Sequence, residues 1–171
     1  MKALVMSDTH RNLKAAQRVL EVYDDAATVF FLGDMVEDGL RLKEAYGGRY
    51  FWLVAGNNDP SGSAPEKLVL PWGGRRLALA HGHQFRTYAG LLRICLWGEE
   101  QEADVVLFGH THVPVLVQEG KVVLCNPGSL SRPRSTKEPT FALLTAEEGK
   151  FEISLFLVKE KGFSCFAKTV L

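Results

Sequence analysis

The sequence predicts an α/β fold in which two mixed β-sheets pack face to face, with helices on the outside. Three observations carry this prediction. Early in the chain, short apolar runs alternate with helix-periodic segments, the βαβ signature of parallel strands covered by helices. The later part is a series of apolar runs joined by glycine-centred turns with little helix between them, an antiparallel pattern. The early apolar runs also end in polar loops, and parallel sheets place their ligands beyond the carboxyl ends of the strands.

Residues 2–6 (KALVM) read as a buried strand running into Ser7-Asp8-Thr9-His10. Asn12 is the candidate N-cap of a helix on which Leu13, Ala16, Leu20 and Tyr23 recur at steps of three and four. Residues 28–32 (TVFFL) form a second strand closed by Gly33-Asp34, and residues 39–46 a short helix. A third strand, 50–55 (YFWLVA), is closed by Gly56-Asn57. Residues 68–71 and 75–80 flank Gly73-Gly74 as a hairpin. A helical stretch over 85–97 precedes a buried strand at 105–108. Two more hairpins, 113–117 with 122–125 and 141–145 with 151–158, turn at Glu119-Gly120-Lys121 and Glu148-Gly149-Lys150, and a last strand runs over 163–170.

A chain of 171 residues fits one domain spanning 1–171 and buries a core without staples. Twenty basic residues offset twenty acidic ones, so no global field draws in long nucleic acid or an anionic membrane. Cys95, Cys125 and Cys165 are far apart and odd in number, and read as reduced thiols rather than a disulfide framework. The apolar run from Met1 to Met6 is too short for a signal segment, and no later stretch approaches a membrane span. The expected location is the cytoplasm. Leu91, Leu92, Ile94, Cys95 and Leu96 read as a core face or an oligomer interface, which leaves a homo-oligomer open.

The strand ends repeat one chemistry. Asp8 and His10 follow the first strand, Asp34 the second, Asn57 and Asp59 the third; His81 and His83 follow the strand at 75–80, and His110 and His112 the strand at 105–108. All five histidines of the chain lie in these loops. Carboxylate, imidazole and amide oxygen suit borderline divalent metals. Residues two apart on extended backbone face alike, so each Asp-x-His or His-x-His pair can converge. Asp8, His10, Asp34, Asn57, His81, His110 and His112 are too many for one tetrahedral ion, and fit two ions sharing a carboxylate. Two metals roughly 3.5–4 Å apart clamp the attacking and leaving oxygens of an in-line phosphoryl displacement.

Asp8-Thr9-His10, Gly33-Asp34, Gly56-Asn57-Asn58-Asp59, His81-Gly82-His83 and Gly109-His110-Thr111-His112 resemble, in order, the motifs of the calcineurin-like metallophosphoesterases. With Asn126-Pro127-Gly128-Ser129 the resemblance is to the small single-domain phosphodiesterase branch, over residues 1 to 135. It implies a four-layer αββα sandwich of two mixed β-sheets flanked by helices. It also implies a first metal site of Asp8, His10, Asp34 and His112, and a second of Asp34, Asn57, His81 and His110, with Asp34 bridging. The implied cofactors are two divalent metal ions, manganese first, with Fe, Zn, Ni and Co suiting the same donors. The implied reaction is phosphodiester hydrolysis by a hydroxide bridging the two ions, on a small phosphodiester or nucleotide-like substrate.

The sequence departs from the family where many members read Gly-Asn-His-Asp, because Asn58 holds the position of a histidine thought to serve the leaving oxygen. An amide donates a hydrogen bond but delivers no proton near neutral pH. Either aryl-type leaving groups are favoured, or His83 or a water supplies the proton. Asp59, its usual partner absent, has a loop-holding reading beside the catalytic one, and His83 a structural reading beside its catalytic one. Asn126 to Ser129 reads as a loop shaping the site wall. Arg11, Arg132 and Arg134 read as solvated charges or as contacts to substrate phosphate. Two other functions share the fold: a phosphomonoesterase, and a non-catalytic scaffold of the kind the retromer scaffold subunit represents. The filled set of ligand positions argues against the scaffold.

Overall fold

The computed structural model describes residues 1–171. Strand β1 (Lys2–Met6) is apolar throughout because it is buried on both faces: Ala3 and Val5 point into the core between two sheets, Leu4 and Met6 toward helices. It pairs in parallel with β2 (Thr28–Phe31) through helix α1 (Lys14–Val22), and β2 pairs in parallel with β3 (Tyr50–Leu53) through helix α2 (Val36–Ala45). Strands β9 (Thr140–Glu147), β10 (Lys150–Val158) and β11 (Phe163–Val170) add to the other side of β1, each antiparallel to its neighbour. The first sheet therefore has the order β11-β10-β9-β1-β2-β3.

The second sheet joins β4 (Lys67–Trp72), β5 (Arg75–Ala80), β6 (Val105–Leu107), β7 (Val115–Glu119) and β8 (Val122–Asn126) in the order β4-β5-β6-β8-β7, with helix α3 (Leu92–Glu100) preceding β6. The core between the sheets contains Phe30, Trp72, Leu77, Leu79, Leu107, Phe151 and Leu155, with Trp72 meeting Phe30 and Phe151 edge-on. Leu4, Met6 and Phe31 pack against Ala16, Val19, Leu20 and Leu42 of α1 and α2. On the far side, Ala78, Val106 and Leu124 pack against Ile94, Cys95 and Trp97 of α3. The layers run α-β-β-α, as the resemblance implied. No helix is long and apolar enough to cross a membrane. The three cysteines are free, and burial pushes the Cys125 thiol up to about 12.

Three local expectations shift. Helix α2 begins at Val36 rather than at residue 39, because the backbone N–H groups of Met35 and Val36 donate to Asp59 Oδ1, at 2.9 and 2.6 Å. That cap comes from a distant carboxylate, which no local pattern reveals. The stretch expected as one helix over 85–97 is two 3-10 turns, His83–Phe85 and Thr87–Ala89, followed by α3. Gly90 at φ 141° and Arg86 at φ 53° break the helical path between them. Leu13 occupies the N-cap position of α1 with no side-chain bond, although Asn12 Oδ1 still accepts the Lys14 N–H at 3.3 Å.

Candidate metal centre

The carboxyl ends of β1, β2 and β3 and those of β5 and β6 open at the same end of the sandwich, so loops from both sheets meet. Backbone strain concentrates there. Asp8, His10, Asp34, His110 and His112 all hold positive φ, between 43° and 70°, a region that non-glycine residues rarely occupy. Close glycines make room for them. A Cβ on Gly109 would lie 2.1 Å from Ser7 Oγ and 2.9 Å from Asp8 Oδ2, and one on Gly56 would lie 2.3 Å from Asp34 Oδ1.

One atom from each of Asp8, His10, Asp34 and His112 falls within 4.8 Å of the other three, so these four could hold one cation. His112 Nε2 stands 3.1 Å from Asp8 Oδ1 and 3.1 Å from His10 Nε2. Around Asp34 a second group gathers: His81 Nε2 is 3.2 Å from Asp34 Oδ1, and the His81 and His110 ring centroids are 5.1 Å apart. Asn57 is exposed and lines the same cleft of about 450 Å³, with His10, Asp34, Asn58, Tyr88, His110, His112, Arg132 and Arg134 among its walls.

The donor chemistry fits divalent cations. His81 Nδ1 donates to the Leu32 carbonyl at 2.6 Å and His112 Nδ1 to the Arg132 carbonyl at 2.7 Å, since a carbonyl oxygen can only accept. In the neutral rings, Nε2 is then the lone-pair nitrogen, and in both residues it faces a carboxylate. Acceptor facing acceptor is repulsive unless a proton or a metal cation lies between. Asp8 Oδ1 and His81 Nε2 are both buried without a hydrogen-bond partner, the costly state that a metal ligand would occupy. A backbone carbonyl fixing the far nitrogen of each ring is also the usual support of a ligating histidine.

Electrostatics follow the same geometry. Burial alone would raise the Asp34 carboxyl, but the His81 ring and the Asn58 donors outweigh it and hold it well below the carboxylate range. Burial works against protonation of His81 and His112 as well, yet Asp34 beside the first and Asp8 beside the second raise both above an ordinary imidazole. Burial, with the His81 charge adding to it, lowers His110 to about 4, and burial also lowers His10.

Asn58 and Asp59 take positions around Asp34. Asn58 Nδ2 donates to Asp34 Oδ2 at 2.6 Å, and its backbone N–H donates to Asp34 Oδ1 at 3.1 Å. Asp59 accepts four backbone N–H groups, from Asp34, Met35, Val36 and Gly56, at 2.6–2.9 Å. His83 is apart: it lines a separate, smaller cavity with Asp59 and Glu66, its ring 5.5 Å from that of His81 and its buried Nδ1 unpartnered. Arg11 does not line the cleft, whereas Arg132 and Arg134 do.

The sequence reading missed the supports of the first loop. Buried Asp38 accepts Thr9 Oγ1 at 2.7 Å and the Arg11 N–H at 2.8 Å. An acidic residue in the first turn of a helix reads as a dipole partner, so nothing local marked it. Tyr88 was missed as well; its hydroxyl donates to the His110 carbonyl at 2.9 Å. Asn126, expected to shape the site wall, is fully buried and does not line the cleft; it braces the loop of His110 and His112 from behind, donating to Gly109 O at 2.7 Å and Thr111 Oγ1 at 3.1 Å. Ser129 Oγ and Ser131 Oγ both donate to the Asp8 carbonyl, at 2.8 and 3.1 Å.

Fold and site together define a metallophosphoesterase. The family model of the calcineurin-like phosphoesterase superfamily domain matches residues 1–149, and the chain belongs to that superfamily of hydrolases. Among its relatives, a probable metallophosphoesterase of Bacillus subtilis (strain 168), YsnB, is 31% identical over 150 residues, covering 86% of this chain and 85% of YsnB. Phosphodiesterase YfcE of Escherichia coli (strain K12) is also 31% identical, over 84% of this chain and 87% of its own. The solved YfcE structure superposes with a TM-score of 0.75 at 25% identity, covering 99% of this chain and 98% of that one. Vps29 of Entamoeba histolytica, solved with bound zinc, has a TM-score of 0.81 at 23% identity over 99% of both chains, a likeness of fold.

Proposed function

We propose that this chain is a binuclear metal-dependent phosphodiesterase acting on small or nucleotide-like phosphodiesters. The observation that carries the reading is the convergence of Asp8, His10, Asp34 and His112, one ligand atom from each within 4.8 Å of the others, with no lysine or arginine paired to either carboxylate. In the reading, Asp8, His10, Asp34 and His112 hold one ion, and Asp34, Asn57, His81 and His110 hold the other. Manganese is the first candidate, with Fe, Zn, Ni and Co suiting the same donors. Bound there, divalent ions would supply an acidified water as nucleophile and offset charge developing on the phosphate.

The chain's own residues set the geometry. Asn58 orients the shared Asp34 carboxylate through its amide and its backbone N–H. Asp59 fixes the Asp34 loop against the third strand's loop, and His83 backs His81 from the neighbouring cavity. The imidazoles lining the cleft are those of His10, His110 and His112, all assigned here to metal, so the leaving oxygen takes its proton from solvent. Substrates with good leaving groups, aryl esters above all, are therefore favoured. The diester assignment draws support from the phosphodiesterase relative YfcE.

A second reading, a scaffold on the same fold, has one observation in its favour. Val36, Leu40, Phe51, Trp52 and Leu53 line an apolar groove, with Leu40 and Trp52 exposed. The test strips the protein of metal and compares bis-(p-nitrophenyl) phosphate with p-nitrophenyl phosphate, with and without added Mn²⁺. Metal-restored turnover that favours the diester is the expected result. Preference for the monoester would move the function to a phosphatase, and no turnover with any divalent metal would favour the scaffold.

A further inference from the structure

Arg132 and Arg134 line the cleft beside Tyr88 and Pro133, yet neither guanidinium has a carboxylate partner. The Arg132 side chain makes no hydrogen bond, and Arg134 donates to the Tyr88 hydroxyl. Both residues are nonetheless anchored. The Arg132 carbonyl accepts His112 Nδ1 at 2.7 Å, its N–H donates to Ser129 Oγ at 2.8 Å, and the Arg134 N–H donates to the His112 carbonyl at 3.1 Å. The head of Arg134 is braced too. Its guanidinium lies over the Tyr88 ring at 5.3 Å, and Tyr88 OH bonds onward to the His110 carbonyl at 2.9 Å. The backbone bonds fix where both side chains leave the chain beside the cleft, and the Arg134 head is held in addition by Tyr88.

Charge counting shows what they are free to bind. Two divalent ions, if bound as proposed above, would bring four positive charges, of which Asp8 and Asp34 would cancel two. The scissile diester and an attacking hydroxide, each with one negative charge, match the remainder. The two arginines are left over. A guanidinium fork suits phosphate oxygens, and a pair of forks matches a dianionic terminal phosphate better than a lone carboxylate. The cleft of about 450 Å³, lined by candidate ligands and by both arginines, has room for a nucleotide-sized molecule.

We infer that Arg132 and Arg134, the latter braced by Tyr88, form an anion subsite for a second phosphate, so the preferred substrates are phosphodiesters carrying a further phosphate. This inference rests on the phosphodiesterase reading above. The test compares two substrates differing in one group: the p-nitrophenyl ester of thymidine 5′-monophosphate, and the same ester bearing a 3′-phosphate. The second is used with kcat/KM higher by about tenfold, mostly through KM, because a charge-assisted hydrogen bond to phosphate is worth roughly that factor. The gap narrows as ionic strength rises, since both arginines are exposed. In an Arg132→Ala/Arg134→Ala double variant the ratio falls to near unity, and in the corresponding Lys variants it is partly kept.

A binding measurement decides the matter whichever way turnover falls. Calorimetry on the Mn²⁺-loaded protein compares thymidine 3′,5′-bisphosphate with thymidine 5′-monophosphate, thermal unfolding confirming that each variant is folded. Tighter binding of the bisphosphate, lost in the double variant, supports the subsite even if neither ester is hydrolysed, an outcome that would remove the phosphodiesterase reading alone. Equal binding of the two nucleotides, or a preference unchanged in the double variant, overturns the subsite.

Discussion

Five candidate ligands sit at left-handed φ, so the backbone around them is strained and must be held by its surroundings. Asp59 is the largest single restraint, because one carboxylate satisfies N–H groups from two loops and the start of α2. Asp59→Ala should lower the unfolding free energy by roughly 2–4 kcal/mol in urea titrations, since the freed N–H groups lose a charged acceptor. A loss within error of zero would show that water replaces the carboxylate. Gly109→Ala tests the close approach of the loops: with no space beside Ser7 Oγ and Asp8 Oδ2, it should cut Mn²⁺ retained after dialysis while leaving far-UV circular dichroism intact. Asn58→His addresses the leaving group. An imidazole able to protonate it should raise turnover of an alkyl ester more than that of an aryl ester, and no selective gain would locate the proton source elsewhere.

At the scale of elements, the antiparallel strands added beyond β1 are stitched on by aromatics. Phe141 of β9 is fully buried, stacks on Phe156 of β10 at 5.3 Å, and meets Tyr23 and Phe163 edge-on at 5.6 and 5.4 Å. It thereby joins the end of α1 to β10 and the start of β11. Phe141→Ala should cost roughly 3–5 kcal/mol of stability by cavity formation, while turnover per folded molecule holds, because its ring packs among Tyr23, Phe156 and Phe163 and does not line the cleft. Equal losses in stability and specific activity would mean that this edge and the site loops are coupled. The strands were legible in the sequence because burial on both faces leaves continuous apolar runs. The helix boundaries were less so, since α2 starts where Asp59 caps it and the stretch before α3 breaks at Gly90.

At the scale of the molecule, the candidate site lies across the seam between the sheets. Asp8, His10, Asp34 and Asn57 follow strands of the first sheet, and His81, His110 and His112 follow strands of the second. Ions held by both groups would staple the sandwich at one end, so binding becomes stability. Adding Mn²⁺ to metal-stripped protein should raise the thermal midpoint, worth about 2.7 kcal/mol at roughly 100 times the dissociation constant. Asp34→Asn, which weakens the one carboxylate facing both groups, should abolish most of that rise. A midpoint indifferent to metal in the wild type would mean that the seam is already fully tied by packing.

Much of this protein was written locally. The order of strands, the glycine turns and the placing of the histidines just past strand ends follow from residue types and short spacings, because burial and turn geometry act on neighbours in sequence. The list of candidate ligands was legible for the same reason. Tertiary structure decided what depends on residues far apart in the chain. It turned Asp59 inward to four N–H groups and set Asp38 beneath the first loop. It also sent His83 to a neighbouring cavity and brought Arg132, Arg134 and Tyr88 to the cleft. A side chain's partner across the fold is fixed by how two sheets pack, and that packing sums many weak interactions that no single stretch of sequence contains.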